Sequence, residues 1–446
     1  MNSIRINQYV ESVVTVILLL TSLLTFFIPI YVSATFIEWT LILYLILIAN
    51  NIYMHRRFSL FQTWNVAYVY VVVSEMILIS HRSVITQEYQ FAIAFLLLAN
   101  AIFIVGYKLA RFREKEWETK YSYVLKHKKT FVLLFVFFMF FYIYYKFGRA
   151  LTNFYEVRRV GNALGSGSVM RIIVNAIGMV TPALIGYYFV YHTKNKWLSL
   201  IFVIPLMIIQ FMISTRFRVL YIVLPYLIIM DLFPLQIDKK RKLLFVGLLL
   251  VVLSIGSTYL KKFRYTSNRE DLDFSELYAK SSDPFVSFAN KMSPEGVIHM
   301  TMLANDYFAI RPLSHGREIA YVTYFWVPRA LWKDKPTPID YWLIREYEDI
   351  GESVTTASGF TGEIRADFGN YCLIIVFLWG ITLNYLDMFI VIKHRKDRTY
   401  DRVITAMFFP WIFFFVRSPN TATIPFLLEL ILLMFIRKVL FTKKEL

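Results

Sequence analysis

Stretches of about 20 nearly uncharged apolar residues, the length a helix needs to cross roughly 30 Å of hydrocarbon, recur along most of this 446-residue chain. They fall near residues 11–32, 36–54, 63–80, 91–110, 131–146, 169–191, 197–214, 217–233, 243–260, 370–392, 403–417 and 421–441. Composition agrees: 57% of residues are apolar, 18% aromatic and 18% charged, with a mean hydropathy of +0.52. A soluble chain could not hide so much apolar surface, so the solvent is a bilayer. The expected fold class is an all-α polytopic membrane protein of about 12 transmembrane helices. Nine lie in residues 1–260 and three in 370–446, with one large extracytoplasmic loop subdomain, 261–369, between helices 9 and 10. The first run is too long and too close to the second to read as a removed signal peptide, and no A-x-A pattern follows it.

Orientation follows from Lys and Arg in the short loops. With the N-terminus in the cytoplasm, the inside segments hold 26 of these residues, chiefly at 56–57, 108–129, 194–196, 239–242, 393–402 and 437–444. The short outside segments hold nine: Arg82, Lys146, Arg149, Arg158, Arg159, Arg171, Arg216, Arg218 and Arg417. Both termini are therefore expected in the cytoplasm. The net charge of +17 reflects basic loops beside anionic lipid and not a nucleic-acid partner. The segment 261–369 is 109 residues long and nearly neutral, with 13 basic and 16 acidic residues. A loop of that length is uncommon unless it has a function.

Cations that sit outside despite the bias are the informative ones. Arg158 and Arg159 lie in a glycine-containing stretch after the fifth span, and Arg216 and Arg218 in a tight turn, Ser214–Arg218, between two strongly apolar spans. The large loop adds Arg329, Lys333, Lys335 and Arg365, and Arg417 opens the last outside turn. Arginine forks match phosphate oxygens bidentately, and the pairing strengthens near a low-dielectric surface. The set points to an anionic ligand at the outer leaflet, such as a lipid diphosphate. Each arginine taken singly also fits headgroup snorkelling or a loop salt bridge.

Acid–base candidates are Glu363, Asp367, Asp306, Asp340, His299 and His315. Glu363 stands where the loop meets the tenth span, where apolar neighbours can raise a carboxyl toward use as a base; the rival reading is a salt bridge to a nearby arginine. His315, in Ser314–Arg317, is the second choice for that role. Glu75 and Glu429 fall within expected spans, where an ionisable group is a functional hypothesis by default. The one cysteine, Cys372, excludes a disulfide framework, an iron–sulfur cluster and a Cys-based zinc site. There is no GxxxxGK[ST], GxGxxG, HExxH or GxSxG motif and no D-x-D pair in the first outside loop, so no cofactor or metal is expected.

Val327–Pro336, VPRALWKDKP, resembles the PR-x-LW-x-x-KP stretch in the large outside loop of Wzy-type polymerases of O-antigen, capsule and related polysaccharide repeat units. Gly362-Glu363…Phe368-Gly369 resembles that family's Gly-Glu…Phe-Gly segment, and Ser214-Thr215-Arg216…Leu220 its Ser-x-Arg turn. Residue 367 is Asp where Asn is commoner in the family, and residue 370 is not Gly. The resemblance implies a metal-independent glycosyltransferase of the GT-C type in the bacterial cytoplasmic membrane. Such an enzyme moves a glycan from one undecaprenyl diphosphate onto another lipid-linked repeat unit. It works beside a flippase and a chain-length regulator of the same pathway. The implied roles are Glu363 or His315 as base, the outside cations as diphosphate and sugar ligands, and loop aromatics such as Tyr324, Trp332 and Trp342 as sugar platforms. An O-antigen ligase and a lipid-linked-oligosaccharide flippase are the alternative readings; a transporter would be expected to carry internal repeats, and none is visible.

Overall fold

With no water in the bilayer core, each backbone N–H and C=O must be satisfied within its own segment, so apolar runs fold as helices. The computed structural model describes residues 2–27, 32–54, 59–81, 85–110, 121–147, 169–213, 216–230, 283, 285–286, 289, 296–310, 316–327, 331–339, 342–343, 357–393 and 399–445. These are mostly helix, as expected. Hydroxyls inside the apolar helices hide their polarity on the preceding turn: Thr15, Ser22 and Thr40 donate to the carbonyls of Glu11, Leu18 and Phe36.

The chain divides into two units. The first comprises Met1–Phe112, Asp273–Asp387 and Ile412–Thr421, and the second Arg113–Leu272, Met388–Trp411 and Ala422–Leu446. In chain order the elements are α1 (Asn2–Phe27), α2 (Ala34–Met54), α3 (Leu60–Tyr68), a π turn (Val69–Val73), α4 (Ser74–Ser80), α5 (Gln87–Leu109), β1 (Tyr121–Leu125), α6 (Lys128–Phe147), α7 (Val169–His192), α8 (Ser199–Ile213) and α9 (Arg216–Ile229). Then come α10 (Val297–Ile310), α11 (Arg317–Tyr324), α12 (Phe360–Phe368), α13 (Cys372–Lys393), α14 (Thr399–Ala406), α15 (Phe408–Arg417), α16 (Pro419–Leu440) and β2 (Phe441–Glu445).

In the first unit, α1 packs on α2 and α5, and α10 packs on α5, α4 and α12. Two glycines set the crossing of α5 and α13. A Cβ on Gly106 would meet the Phe377 carbonyl, and one on Gly380 would meet the Phe103 carbonyl. Small residues at such crossings let helix backbones approach closely where lipid supplies no hydrophobic drive. In the second unit, α7 packs on α6, α8, α9 and α14. Its core is aromatic, with Tyr187 against Phe131, Tyr400 and Phe441 at ring separations of 5.7, 5.6 and 5.8 Å.

Six helices are long and apolar enough to cross a membrane, by length and composition: Tyr9–Phe27, Leu60–Ser80, Gln87–Leu109, Lys128–Tyr145, Ile173–His192 and Phe360–Ile390. Ala34–Asn50, Lys196–Met207 and Leu220–Ile229 are shorter apolar helices. The expected count of about 12 is thus not reproduced among the described residues, outside which the stretch 243–260 lies. The expected span 403–417 is broken at Met407 into α14 and α15. Pro410 favours the break, since it has no N–H and its ring clashes with the carbonyl four residues back, and it sits in the first turn of α15. Pro182, Pro205, Pro225 and Pro425 are nevertheless carried inside unbroken helices.

The large loop also departs from expectation. Two of its described helices pack against apolar helices. The α10 helix is packed among transmembrane helices, and α12 is buried from Phe360 to Asp367. A 3-10 turn, Gly369–Tyr371, joins α12 to α13, so the apolar stretch begins at Phe360, ten residues before the expected 370. Nor is the fold entirely helical: β1 and β2 pair antiparallel, Tyr121 opposite Glu445 and Leu125 opposite Phe441. Neither strand was expected, because each is a short polar flank beside a long apolar run.

Candidate functional site

Gly359, at φ +69°, starts α12 in a region that favours glycine, and a Cβ there would strike the Val297 side chain. Its amide donates to the Arg417 carbonyl at 2.8 Å, which ties the start of α12 to the end of α15. Glu363 follows in the first turn of α12, 4% exposed, and its Oε1 accepts the Ser358 hydroxyl at 2.7 Å. Arg365, also 4% exposed, donates through Nε to Asn305 Oδ1 at 2.8 Å and through Nη1 to Asn370 Oδ1 at 2.6 Å. Its guanidinium lies over the Phe95 ring, 4.6 Å from the centroid. The buried Nδ2 of Asn305 has no hydrogen-bond partner among the described residues. A buried donor of that kind beside an arginine is where an acceptor from a ligand or water would sit. Thr301, one turn before Asn305 on α10, lies against Gly362.

One helical turn beyond Glu363, Asp367 points elsewhere. Both its oxygens accept from the first turn of α11, taking the Glu318 amide at 3.1 and 3.0 Å and the Ile319 amide at 3.1 Å. A carboxylate there satisfies donors with no partner inside their own helix and meets the positive end of its dipole. At the other end of α11, the Lys335 ammonium donates to the carbonyls of Phe325 and Val327. Lys335 was expected to bind substrate, but it is 8% exposed and closes the C-terminal end of α11. The two loop motifs therefore meet on one short helix, Asp367 holding its start and Lys335 its end.

Glu318 is the functional candidate that sequence reading missed. It lies in the first turn of α11 and is buried, accepting from the Ile339 amide at 2.9 Å and Trp342 Nε1 at 3.1 Å. Burial pushes its carboxyl up to about 7, against the hydrogen bonds from Trp342 and Ile339. The unfolded group sits near about 4.3, so the native state holds the extra proton between these values. The resulting stability is complete below the unfolded value and lost as pH rises through the native one. Thermal stability in detergent should fall by on the order of 2 kcal/mol between roughly pH 5 and 8, and Glu318→Gln should flatten that profile.

Among the other expected site residues, Lys333 is exposed, and Arg417 contributes its carbonyl to the start of α12. Arg216 and Arg218 open α9, so the helix begins inside the expected turn; their side chains lie outside the described residues, as do Arg158, Arg159, His315, Arg329 and Asp340. His299 Nδ1 pairs with the Tyr89 hydroxyl at 2.8 Å. Burial, then the nearby Glu88, raises the Asp306 carboxyl. Trp342 is tied by its N–H to Glu318 and packs on Tyr307 at 4.9 Å, so it is not a free sugar platform, whereas Trp332 and Trp326 keep exposed rings. Glu75 accepts the Ile298 amide at 3.3 Å in the first turn of α10. Glu429 is fully buried on α16, and neither of its oxygens has a hydrogen-bond partner among the described residues. One described group has metal-ligand spacing: Glu38, His81 and Asp283. No protein-family model, no curated protein and no solved structure matches the chain.

Proposed function

We propose that this membrane protein polymerises lipid-linked oligosaccharide repeat units at the outer face of a bacterial cytoplasmic membrane. The carrying observation is that the two stretches resembling Wzy-type polymerase motifs are coupled: Asp367 of one and Lys335 of the other hold opposite ends of α11. Residues that jointly position one helix have a physical reason to occur together, which motif spacing alone did not supply. On this reading Glu363 is the base that takes the acceptor hydroxyl proton. Arg365 and the Asn305 amide face the sugar or the diphosphate. Arg216 and Arg218 contribute positive charge at the start of α9, where helix amides also favour an anion. The ligase and flippase readings stay as rivals, and glycan analysis of a deletion strain separates all three. A single capped repeat unit supports polymerase. Full-length polymer stranded on its lipid carrier means ligase, and repeat units trapped inside mean flippase.

The reading needs its loop outside, and cysteine labelling tests that. Leu331 is 81% exposed and Trp197 51% exposed, whereas the native Cys372 is buried and gives a low background. Leu331→Cys should react with an impermeant reagent added from outside, and Trp197→Cys should react only after permeabilisation. The opposite pattern sinks the scheme, because the cations would face the wrong compartment. Position 300, in the same loop, is unsuitable because Met300 is buried against Ile339 and Ala366.

A further inference from the structure

Three segments that are far apart in sequence converge on His81. Glu38 lies near the start of α2, His81 directly follows α4, and Asp283 belongs to the large loop. His81 Nδ1 is 2.9 Å from the Ile77 carbonyl, which can only accept, so Nδ1 carries a proton. The other ring nitrogen, Nε2, is 3.1 Å from Asp283 Oδ2 and 3.3 Å from Glu38 Oε1. A bare imidazole lone pair facing two carboxylate oxygens is repelled by both. A metal ion among the three atoms would relieve that repulsion, as would a proton shared between Nε2 and a carboxylate.

The spacing has room for a metal ion. All three ligand atoms lie within 4.8 Å of one another. Ligand–metal bonds of about 2.0–2.2 Å in a tetrahedron place ligand atoms roughly 3.3–3.6 Å apart, close to the 3.1 and 3.3 Å found around Nε2. The bond from Nδ1 to a main-chain carbonyl is the usual outer-shell support of a metal-bound histidine, fixing both tautomer and ring direction. Asp283 is held in a matching way. Its Oδ1 accepts the amides of Phe285 and Val286 at 2.7 and 3.3 Å, which turns Oδ2 toward the cluster. The side chains are 20–34% exposed, so water can reach the position and supply further ligands.

We propose that Glu38, His81 and Asp283 form a divalent transition-metal site of the zinc type, completed by water, that staples the large loop at residue 283 to the ends of α2 and α4. One imidazole and two carboxylates favour Zn²⁺, Co²⁺ or Mn²⁺ over Mg²⁺ and Ca²⁺, which take oxygen ligands. The role is structural, holding a long segment against two helices, and it does not depend on the polymerase reading.

The test uses the full-length protein in detergent, stripped with EDTA and titrated with Zn²⁺ or Mg²⁺. Zn²⁺ should raise the thermal midpoint saturably, and Mg²⁺ at equal concentration should not. Loss of an outer-shell partner alone costs about 10–100-fold in metal affinity, so His81→Gln, Glu38→Gln and Asp283→Asn should each weaken binding by at least about tenfold. Wild-type protein loaded with Mn²⁺ should show hyperfine coupling to one imidazole nitrogen, a readout that needs no variant to fold. No saturable Zn²⁺ effect, no nitrogen coupling, or equal affinity in all three variants overturns the proposal. The cluster is then an imidazolium held between two carboxylates.

Discussion

Glu363→Gln should cut polymer formation by about 10²–10⁴-fold, the range for a positioned general base, while membrane insertion and abundance stay at wild-type levels. The substitution is chosen for what it preserves. A glutamine oxygen can still accept the Ser358 hydroxyl, and the side-chain volume in this buried position is unchanged, so α12 keeps its place. What is lost is the ability to take a proton. Ser358→Ala separates catalysis from positioning: it removes the hydrogen bond but keeps the base, so it should impair polymerisation far less than Glu363→Gln. Near-normal polymer from Glu363→Gln would leave His315, or a mechanism with no protein base, as the account of proton transfer.

Glu363 was legible in the sequence because a carboxylate between glycines at a membrane boundary is unusual for any other purpose. Asp367 and Lys335 were equally visible, but their partners were not. Asp367 holds the start of α11 from far along the chain and Lys335 holds its end across an intervening turn, and hydropathy and motif spacing reveal neither cap. Glu318 was passed over for a similar reason: Arg317-Glu318 reads as a solvated loop pair, and only folding buries the carboxyl against Trp342 and Ile339. The long helices followed directly from apolar run length, which one segment decides by itself. The break at Met407 and the early start of α12 are favoured by Pro410 and Gly359, single residues inside runs that hydropathy averages over. Glu75 illustrates the general difficulty. An acid within a span suggested chemistry; one of its oxygens accepts an amide in the first turn of α10, a partner that reading each span alone does not reveal.

The same device predicts the largest stability loss in the first unit. Asp387, near the end of α13, accepts the amides of Leu60 and Phe61, the first two residues of α3, and the Tyr107 hydroxyl at 2.7 Å. These groups lie where water is scarce, and each buried donor left unmatched costs about 1–3 kcal/mol. The Ser59 capping box satisfies Gln62 and not the two earlier amides, so it cannot substitute. Asp387→Ala strands three donors at once and should destabilise the protein by at least about 3 kcal/mol. Asp387→Asn should be milder, on the order of 1–3 kcal/mol. Its oxygen can keep the Leu60 amide and its NH₂ can donate to the Tyr107 hydroxyl, which reverses its own bond, but the Phe61 amide then faces another donor. Tyr107→Phe removes one donor together with its bond, leaves the carboxylate with two amides, and should be the mildest of the three. The order Ala, Asn, then Phe in loss of the thermal midpoint, read on purified protein in one detergent at one pH, is the expected result. Equal midpoints for Asp387→Ala and the wild type would mean that the start of α3 is held by packing alone, with Trp64 stacked on Phe103 at 4.2 Å as its anchor.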